Sequence, residues 1–471
     1  MHTTFDNDHE PVTSHWQALD FAAVTAEYPP APGFYDAIAH LSRDAIRNLQ
    51  EQRFLAVVAS AWNIPFYSRL WRAAGLEPGD IRALEDITRL PIFTIKDLRD
   101  SIERKPPFGD YMGISPVDAR HVPLVLVTSG GTTGLPRPML YAPREREIMT
   151  IIRARSLHMH GVRPGDLVQV TMALGLSNGG VGTRDALLRY NGALAISTGS
   201  GNSTPSRRQI EIARSLGTNV ILGFPSYLRH LGLVARDELN IDPRDLRIKV
   251  LGSHLGTEDR KPIEAMWGCR CLDSYGCHEV GHVASECRHG DGMHVFEDAV
   301  IAEIIDRETG KPASDGASGS VVLTSLYRFD VPFIRYNIND VSAFRTGTCA
   351  CGRTLPRMDR ILGRGDTMVK LRGVNVFPEA IGAVVGADAR TNGEFFCTVE
   401  RVGAEGRDEM TVRVELLSPT DASIACDEIE QRLKGVLGVK VAVCPAAPGE
   451  LARDTGMTQT SKPKRLIDKR A

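Results

Sequence analysis

The sequence lacks an excess of charge of either sign. It carries 56 Lys and Arg against 58 Asp and Glu in 471 residues, so its charge predicts no nucleic-acid or membrane partner. It also lacks an apolar leader, because its first ten residues are polar and acidic. That composition predicts neither a signal peptide nor a spanning helix and favours the cytoplasm. These absences leave a soluble enzyme or binding protein of two or three domains.

Cysteine occurs in a number that does not suit a disulfide framework. Nine cysteines, an odd count in a chain of this length, leave metal binding open for the clustered ones. Cys349 and Cys351 form a Cys-x-Cys pair beside a glycine, and Cys287, His289 and His294 lie upstream. Two thiolates from each of two loops, or three thiolates with an imidazole, would complete a closed tetrahedral zinc site. Unpaired buried thiols are the alternative.

One stretch is rich in glycine and hydroxyl side chains and follows the apolar run 123–126, which predicts a buried strand. Such a loop can direct several N–H and O–H donors onto one phosphate. The P-loop signature is absent, because no Gly-Lys-Ser/Thr closes the run, and an ordinary flexible loop is the alternative. The residues of this stretch are Thr128, Ser129, Gly130, Gly131, Thr132, Thr133 and Gly134.

Short apolar runs then alternate with helical stretches. The runs at 167–170, 193–196, 219–223 and 248–252 predict βαβ units and largely parallel sheets, whose ligands lie beyond the carboxyl ends of the strands. Residues 34–74 show helical spacing typical of core packing. The first 32 residues have weak periodicity and are predicted to form a loosely docked lead-in.

Several motifs resemble those of the acyl-adenylate-forming superfamily, and most of all its phenylacetate–CoA ligase branch. The resemblance runs from about Phe54 to the C-terminus. The Ser/Thr/Gly stretch resembles the ATP loop, 273–279 the aromatic-Gly-x-Thr-Glu motif, 335–340 the ribose segment, and 363–378 the hinge region. Residues 461–468 are similar to the terminal Gly-Lys-Ala-x-Arg-Val.

The resemblance implies roles for individual residues. Tyr275 would stack on adenine, Glu279 would hold Mg²⁺, and Asp340 with Arg364 would bind the ribose. Lys462 would be the adenylation lysine, although Lys464 competes for that role. The remaining residues expected at the nucleotide, the acyl group or coenzyme A are Ser253, His254, Asp273, Ser274, Gly276, His278, which replaces the usual Thr, and Lys370.

The acid pocket implied by the resemblance suits a compact, apolar acid, and the branch favours aryl acids. Its residues would be Tyr141, Ala173, Leu174, Ser177, Asn178, Gly179 and Phe224. Some phenylacetate–CoA ligase relatives also carry the Cys-x-Cys-Gly-Arg sequence together with a histidine. That match favours Cys287, His294, Cys349 and Cys351 as ligands of a structural zinc ion.

The expected fold is α/β. A lead-in segment (1–33) precedes a large N-terminal adenylation domain (34–365) with mostly parallel sheets and flanking helices. A small mobile α+β C-terminal cap domain (366–471) follows, with Asp366 as the hinge. The oligomeric state stays open, with a homodimer as one option.

The resemblance implies ATP-dependent activation of a carboxylic acid as acyl-AMP, followed by transfer to coenzyme A. Three alternatives keep the adenylation chemistry: an amine acceptor, adenylation of a deazaflavin, and activation of nitrite. A catalytically silent nucleotide-binding scaffold is a further alternative.

Overall fold

A computed structural model describes residues 13–120, 122–129, 137–365, 369–372, 374–402, 407–455 and 465–470. Its helices are α1 (Phe21–Glu27), α2 (Gly33–Ala37), α3 (Arg43–Ala61), α4 (Pro65–Ala73), α5 (Ile95–Arg104), α6 (Pro143–Met159), α7 (Asn178–Ala186), α8 (Ser206–Leu216), α9 (Pro225–Leu233), α10 (Lys261–Trp267), α11 (Pro378–Gly386), α12 (Ala422–Leu437) and α13 (Ala452–Thr455).

The strands form five sheets. They are β1 (Phe93–Thr94), β2 (Val125–Ser129), β3 (Arg137–Tyr141), β4 (Leu167–Val170), β5 (Leu194–Ile196), β6 (Val220–Leu222), β7 (Val250–Ser253), β8 (Arg270–Cys277), β9 (Gly281–Glu286), β10 (Met293–Val295), β11 (Val300–Ile305), β12 (Gly319–Ser325), β13 (Tyr336–Ser342), β14 (Phe344–Arg345), β15 (Arg357–Met358), β16 (Gly363–Arg364), β17 (Val369–Leu371), β18 (Val374–Val376), β19 (Thr391–Val402), β20 (Arg407–Leu416), β21 (Ala442–Ala446) and β22 (Leu466–Asp468).

A nine-stranded sheet, in the order β14-β15-β10-β9-β8-β7-β6-β4-β5, forms the centre of the large body. The four apolar runs singled out in the sequence are its strands β4 to β7, and the pairs from β5 across to β8 are parallel, as expected. From β8 to β14 every pair is antiparallel. The α/β class is confirmed, but the sheets are mixed rather than mostly parallel. Three residues separate β8 from β9, which leaves no room for a crossover helix.

A second sheet, β1-β13-β12-β11 with β16 paired to β13, is also mostly antiparallel. The two-stranded sheet β2-β3 includes Thr128 and Ser129, the first residues of the Ser/Thr/Gly stretch. The apolar run before that stretch is not the buried strand that was expected, since of the β2 residues Val127 is buried but Leu126 is exposed. A hairpin that covers the body on one face only accounts for this pattern.

Residues 13–33 pack against the large body more closely than the sequence suggested. Asp20 caps α1 by accepting from the amide of Ala23 at 2.9 Å. Tyr28 is fully buried, and the guanidinium of Arg53 lies 4.0 Å from the centroid of its ring. The buried side chains Leu19 and Val24 belong to the same core cluster as Tyr28.

The C-terminal part has a core of its own. A four-stranded sheet, in the order β21-β20-β19-β22, packs against α11 and α12. Its hydrophobic cluster is drawn from residues after 368. This arrangement agrees with the expected α+β composition, while the boundary at Asp366 stays a prediction because that residue lies outside the described ranges. Among the described helices, none is long and apolar enough to cross a bilayer.

Candidate active site

The carboxyl ends of the parallel strands bring the predicted nucleotide and acid residues to one edge of the central sheet. Ala173 follows the end of β4, Phe224 follows the end of β6, and Ser253 is the last residue of β7. β8 carries Asp273 and Tyr275 along the next position of the same sheet. Because neighbouring parallel strands end at the same side, this edge is where an α/β sheet binds its ligands.

Three side chains from distant segments meet beside this edge. The Tyr275 hydroxyl donates to Asp340 Oδ2 at 2.7 Å, and Arg364 Nη1 lies 3.4 Å from Asp340 Oδ1. Asp340 and Arg364 are paired residues of β13 and β16. Burial, followed by the charge of Asp340, raises the pKa of Tyr275 well above its ordinary value. The tyrosine therefore keeps its proton and acts as a donor that orients the carboxylate.

The pairing of β8 with β9 is irregular beside Tyr275, and Val283 of β9 is the extra residue there. The pairing of β8 with β9 shifts register between Tyr275 and Gly276. A Cβ on Gly276 would lie 2.4 Å from the carbonyl oxygen of Gly281, so a side chain there would force the two strands apart. Bulges of this kind bend a strand and redirect the neighbouring side chain. Gly276 thus has a structural role in addition to the nucleotide contact predicted for it.

Glu279, the predicted Mg²⁺ ligand, forms a buried ion pair with Arg137. Burial works against the charge of Arg137, but Glu279 together with Tyr336 and Tyr111 outweighs it and raises the arginine pKa. The Nε and Nη1 atoms of Arg137 have no other partner in the described part of the chain. Arg137 was not singled out in the sequence, although its position directly after the Ser/Thr/Gly stretch was a usable signal.

The Ser/Thr/Gly stretch is described only at its beginning. Thr128 donates its amide to the carbonyl of Leu176 at 2.9 Å, which ties the hairpin to the segment after β4. Ser129 pairs with Arg137 at the last position of the β2-β3 ladder. Gly130, Gly131, Thr132, Thr133 and Gly134 lie outside the described residues, so the predicted phosphate contacts stay predictions.

The segments after β7 and within β8 are joined by short hydrogen bonds. His254 Nδ1 lies 2.5 Å from the carbonyl oxygen of Ser274. Asp273 accepts from the amide of Leu255 at 2.7 Å, and its own amide donates to Glu286 at 2.8 Å. Burial raises the pKa of Asp273 to about 7. These bonds give Asp273 a role in holding the turn after β7, beside the nucleotide contact predicted for it.

The predicted acid-pocket residues divide into two groups. Tyr141 is buried, and its hydroxyl donates to the carbonyl of His278 at 2.6 Å, so its polar end is already engaged. The others lie at or near the surface of the sheet edge. Ala173 and Phe224 are exposed, while Leu174, Ser177, Asn178 and Gly179 are half-buried.

The four predicted metal ligands converge on one point. The candidate ligand atoms of Cys287, His294, Cys349 and Cys351 all lie within 4.8 Å of one another. The sulfurs of Cys287 and Cys349 are 3.7 Å apart, and Cys351 Sγ is 3.3 Å from His294 Nε2. Tetrahedral zinc with Zn–S bonds of about 2.3 Å implies S···S separations of about 3.8 Å.

The protonation of His294 also suits a metal. Its Nδ1 lies 3.3 Å from the carbonyl oxygen of Leu355, which accepts from the ring and leaves Nε2 with its lone pair toward the sulfurs. Burial lowers the pKa of His294 to about 4, so the ring is neutral. The four residues therefore fit a closed, four-ligand zinc site, and all nine cysteines are free of disulfides.

Several other predicted residues cannot be placed. Lys462 and Asp366 lie outside the described ranges, and only the main chain of Lys370, in β17, is described. Their roles as adenylation lysine, hinge and coenzyme A contact stay predictions.

Comparison with known proteins identifies relatives over nearly the whole chain. Residues 373–470 match the family model of the AMP-binding enzyme C-terminal domain. The phenylacetate-coenzyme A ligase of Thermus thermophilus is 32% identical over 459 residues, which cover 91% of this chain and 98% of the relative.

Solved structures of 2-hydroxyisobutyryl-CoA ligase are similar in fold. Its postadenylation state with 2-HIB-AMP gives a TM-score of 0.80 at 27% identity and covers 94% of each chain. Its thioesterification state, with 2-HIB-AMP and CoA, gives 0.66 at 29% identity and covers 92% of this chain and 91% of that one. The extent of these matches confirms the family predicted from the motifs: the chain belongs to the phenylacetate–coenzyme A ligase family of acyl-adenylate-forming enzymes.

Proposed function

We propose that the edge of the central sheet at β4 to β8 binds ATP and the acid side by side. As a member of its family, the chain is an AMP-forming ligase that activates a carboxylic acid as acyl-AMP and transfers the acyl group to coenzyme A. The observation that carries the assignment of this edge is the cluster of Tyr275, Asp340 and Arg364. A carboxylate held between a tyrosine hydroxyl and a guanidinium is suited to accept both ribose hydroxyls in one plane.

The chemistry requires positive charge at the phosphates. The attacking carboxylate and the triphosphate repel each other, so the protein must neutralise charge and hold the two in line. Glu279 is our candidate ligand for Mg²⁺, which neutralises charge on the phosphates when bound. Arg137 would fix the orientation of this carboxylate and contribute a further cation beside the Ser/Thr/Gly stretch. Lys462 is our candidate for the cation at the α-phosphate.

The second half-reaction requires a different arrangement of the C-terminal part. The structural relative is known in a postadenylation state, a thioesterification state and an open conformation, which give TM-scores to this chain of 0.80, 0.66 and 0.67. We infer that residues after Asp366 swivel in this chain too, withdrawing Lys462 and bringing Lys370 toward coenzyme A.

Zinc is the ion we assign to Cys287, His294, Cys349 and Cys351. Four protein ligands leave no open coordination position, so the ion would be structural. It would join the end of β9 and the strand β10 to the loop between β14 and β15, the antiparallel end of the central sheet.

The proposed acid is compact, with an aryl acid as the starting expectation, and coenzyme A is the preferred acceptor over an amine. The test is pyrophosphate release by the full-length chain with ATP, Mg²⁺ and a panel of aryl and short aliphatic acids, each with and without coenzyme A. We expect acid-dependent release without an acceptor and faster turnover with coenzyme A. Turnover that rises with an amine but not with coenzyme A would identify an amine as the acceptor. The absence of pyrophosphate release with every acid would favour a nucleotide-binding scaffold.

A further inference from the structure

Three rings form a row from the surface into the interior at the carboxyl edge of the sheet. The centroids of Phe224 and His254 are 6.3 Å apart, and those of His254 and His282 are 5.7 Å apart. Phe224, at the outer end, is 50% exposed, whereas His282, at the inner end, is 5% exposed. The row therefore leads from the proposed acid pocket to His282.

His282, at the inner end of this row, has two ring nitrogens available for hydrogen bonding. Neither ring nitrogen has a hydrogen-bond partner in the described part of the chain. Burial, with the nearby charges of Arg153, His254 and His160, lowers the pKa of His282 well below its ordinary value. A neutral imidazole offers one donor and one acceptor, and leaving both buried without partners is unfavourable.

A cation lies close to His282, because Arg153 is on α6, which packs against β9, and its charge acts on the His282 ring. Arg153, on α6, donates from Nη1 to the carbonyl of Gly179 at 2.7 Å and to the hydroxyl of Thr183 at 2.8 Å. Asp185, whose charge acts on Arg153, forms its ion pairs with other arginines. Burial lowers the pKa of Arg153 to about 10, which still leaves the guanidinium charged at neutral pH.

Arg153 packs against the segment that carries the proposed acid pocket. A Cβ on Gly182 would lie 3.5 Å from its guanidinium carbon and 3.2 Å from Asn178 Oδ1. The two bonds from Nη1 leave three of the five guanidinium donors, one on Nε and two on Nη2, without a partner in the described part of the chain. An acid that is apolar throughout would leave these donors and His282 without partners.

We propose that Arg153 and His282 recognise an oxygen group at the far end of the acid, so that the substrate is a compact carboxylic acid bearing either a hydroxyl or a second carboxylate. This inference rests on the proposed function and refines its expectation of an apolar aryl acid. Arg153 donates to the oxygen group. His282 donates to a carboxylate, or both donates to and accepts from a hydroxyl.

The experiment uses the full-length protein and compares three acids that share the phenylacetate skeleton and differ only at C4 of the ring: phenylacetate, 4-hydroxyphenylacetate and 4-carboxyphenylacetate. Pyrophosphate release gives kcat/KM for each acid in the wild type, in Arg153→Met and in His282→Phe. Arg207→Met is the matched control, because Arg207 lies on the exposed face of α8 and, among the described residues, pairs only with Glu211. His282→Asn keeps a donor and an acceptor and serves as the conservative variant.

We expect the wild type to prefer one oxygen-bearing acid over phenylacetate by about tenfold or more, as for other pockets built to bind a polar substituent. Which of the two acids is preferred identifies the hydroxyl or the carboxylate. The preference should fall to near unity in Arg153→Met and His282→Phe, persist in part in His282→Asn, and stay unchanged in Arg207→Met.

A wild type that favours phenylacetate, with the same ratio in both variants, overturns this inference and leaves the proposed function intact. Release with no acid at all overturns the proposed function, and this inference with it. If either variant fails to fold, the wild-type preference and the His282→Asn ratio still decide between these outcomes.

Discussion

Replacing Tyr275 by phenylalanine tests the proposed ribose site with the smallest change in shape. The hydroxyl donates to a largely buried carboxylate, Asp340, at 2.7 Å. Hydrogen bonds to charged groups contribute about 1.5–3 kcal/mol. Since about 1.4 kcal/mol corresponds to a factor of ten, the loss predicts a KM for ATP raised about 10- to 100-fold, with the KM for the acid changed much less.

The assay is acid-dependent pyrophosphate release at varied ATP and at varied 2′,3′-dideoxy-ATP. If Asp340 binds the ribose hydroxyls, Tyr275→Phe should weaken the discrimination between these two nucleotides. Tyr67→Phe is the matched control. The buried hydroxyl of Tyr67 donates to the carbonyl of Pro332 at 2.6 Å, and neither residue is part of the candidate site. A folded Tyr275→Phe enzyme with the ATP KM and nucleotide discrimination of the Tyr67→Phe control would refute the reasoning.

The remaining predictions concern the lysine, the metal and the pH dependence. Lys462→Ala should lower adenylate formation from acid and ATP by about 100-fold or more while sparing thioester formation from preformed acyl-AMP, and equal losses in both half-reactions would contradict two conformations. Cys351→Ser should reduce bound zinc, measured by mass spectrometry, below one per chain and should lower the melting temperature. Cys444→Ser, at an exposed free cysteine, is the control and should change neither quantity. Equal zinc content in the two variants would exclude the site. Asp273 keeps its proton up to a pKa of about 7 in the folded chain, against about 3.9 when unfolded, so stability should fall as pH rises from 4 to 7. Asp273→Asn removes that dependence, and its melting temperature relative to wild type should therefore rise from pH 5 to pH 8; a constant difference would show that Asp273 titrates normally.

Local patterns were enough to predict the parallel half of the central sheet. Apolar runs of four or five residues separated by helical stretches were found as β4, β6 and β7, because such runs can be buried on both faces only in a sheet covered by helices. The antiparallel half was missed. The strands β9 and β10 follow short connections and include polar residues such as His282 and Ser285, which give no continuous apolar signal.

Partners that lie far apart in sequence were predictable only through the resemblance. Asp340 is 65 residues from Tyr275, and no periodicity links them. The cysteine and histidine cluster was partly visible, because Cys-x-Cys is a local signature, but the choice of His294 over His289 depended on the relatives. Arg153 and His282 were missed altogether, since an arginine on a helix and a histidine in a strand carry no signal until the fold brings them together.

The position of the site follows from the change of direction within the sheet. Within the described central sheet, the direction changes at β8, which pairs in parallel with β7 on one side and antiparallel with β9 on the other. Its carboxyl end therefore lies beside the ends of the parallel strands, yet the chain must turn back within three residues, and Glu279 lies in that turn. The register shift between Tyr275 and Gly276 lies directly before this turn, and the Tyr275 hydroxyl donates to Asp340 beside it. A substitution at Gly276 should consequently disturb nucleotide binding and sheet pairing together, because a Cβ there would lie 2.4 Å from the carbonyl oxygen of Gly281 in β9 and would displace the strand that carries Tyr275.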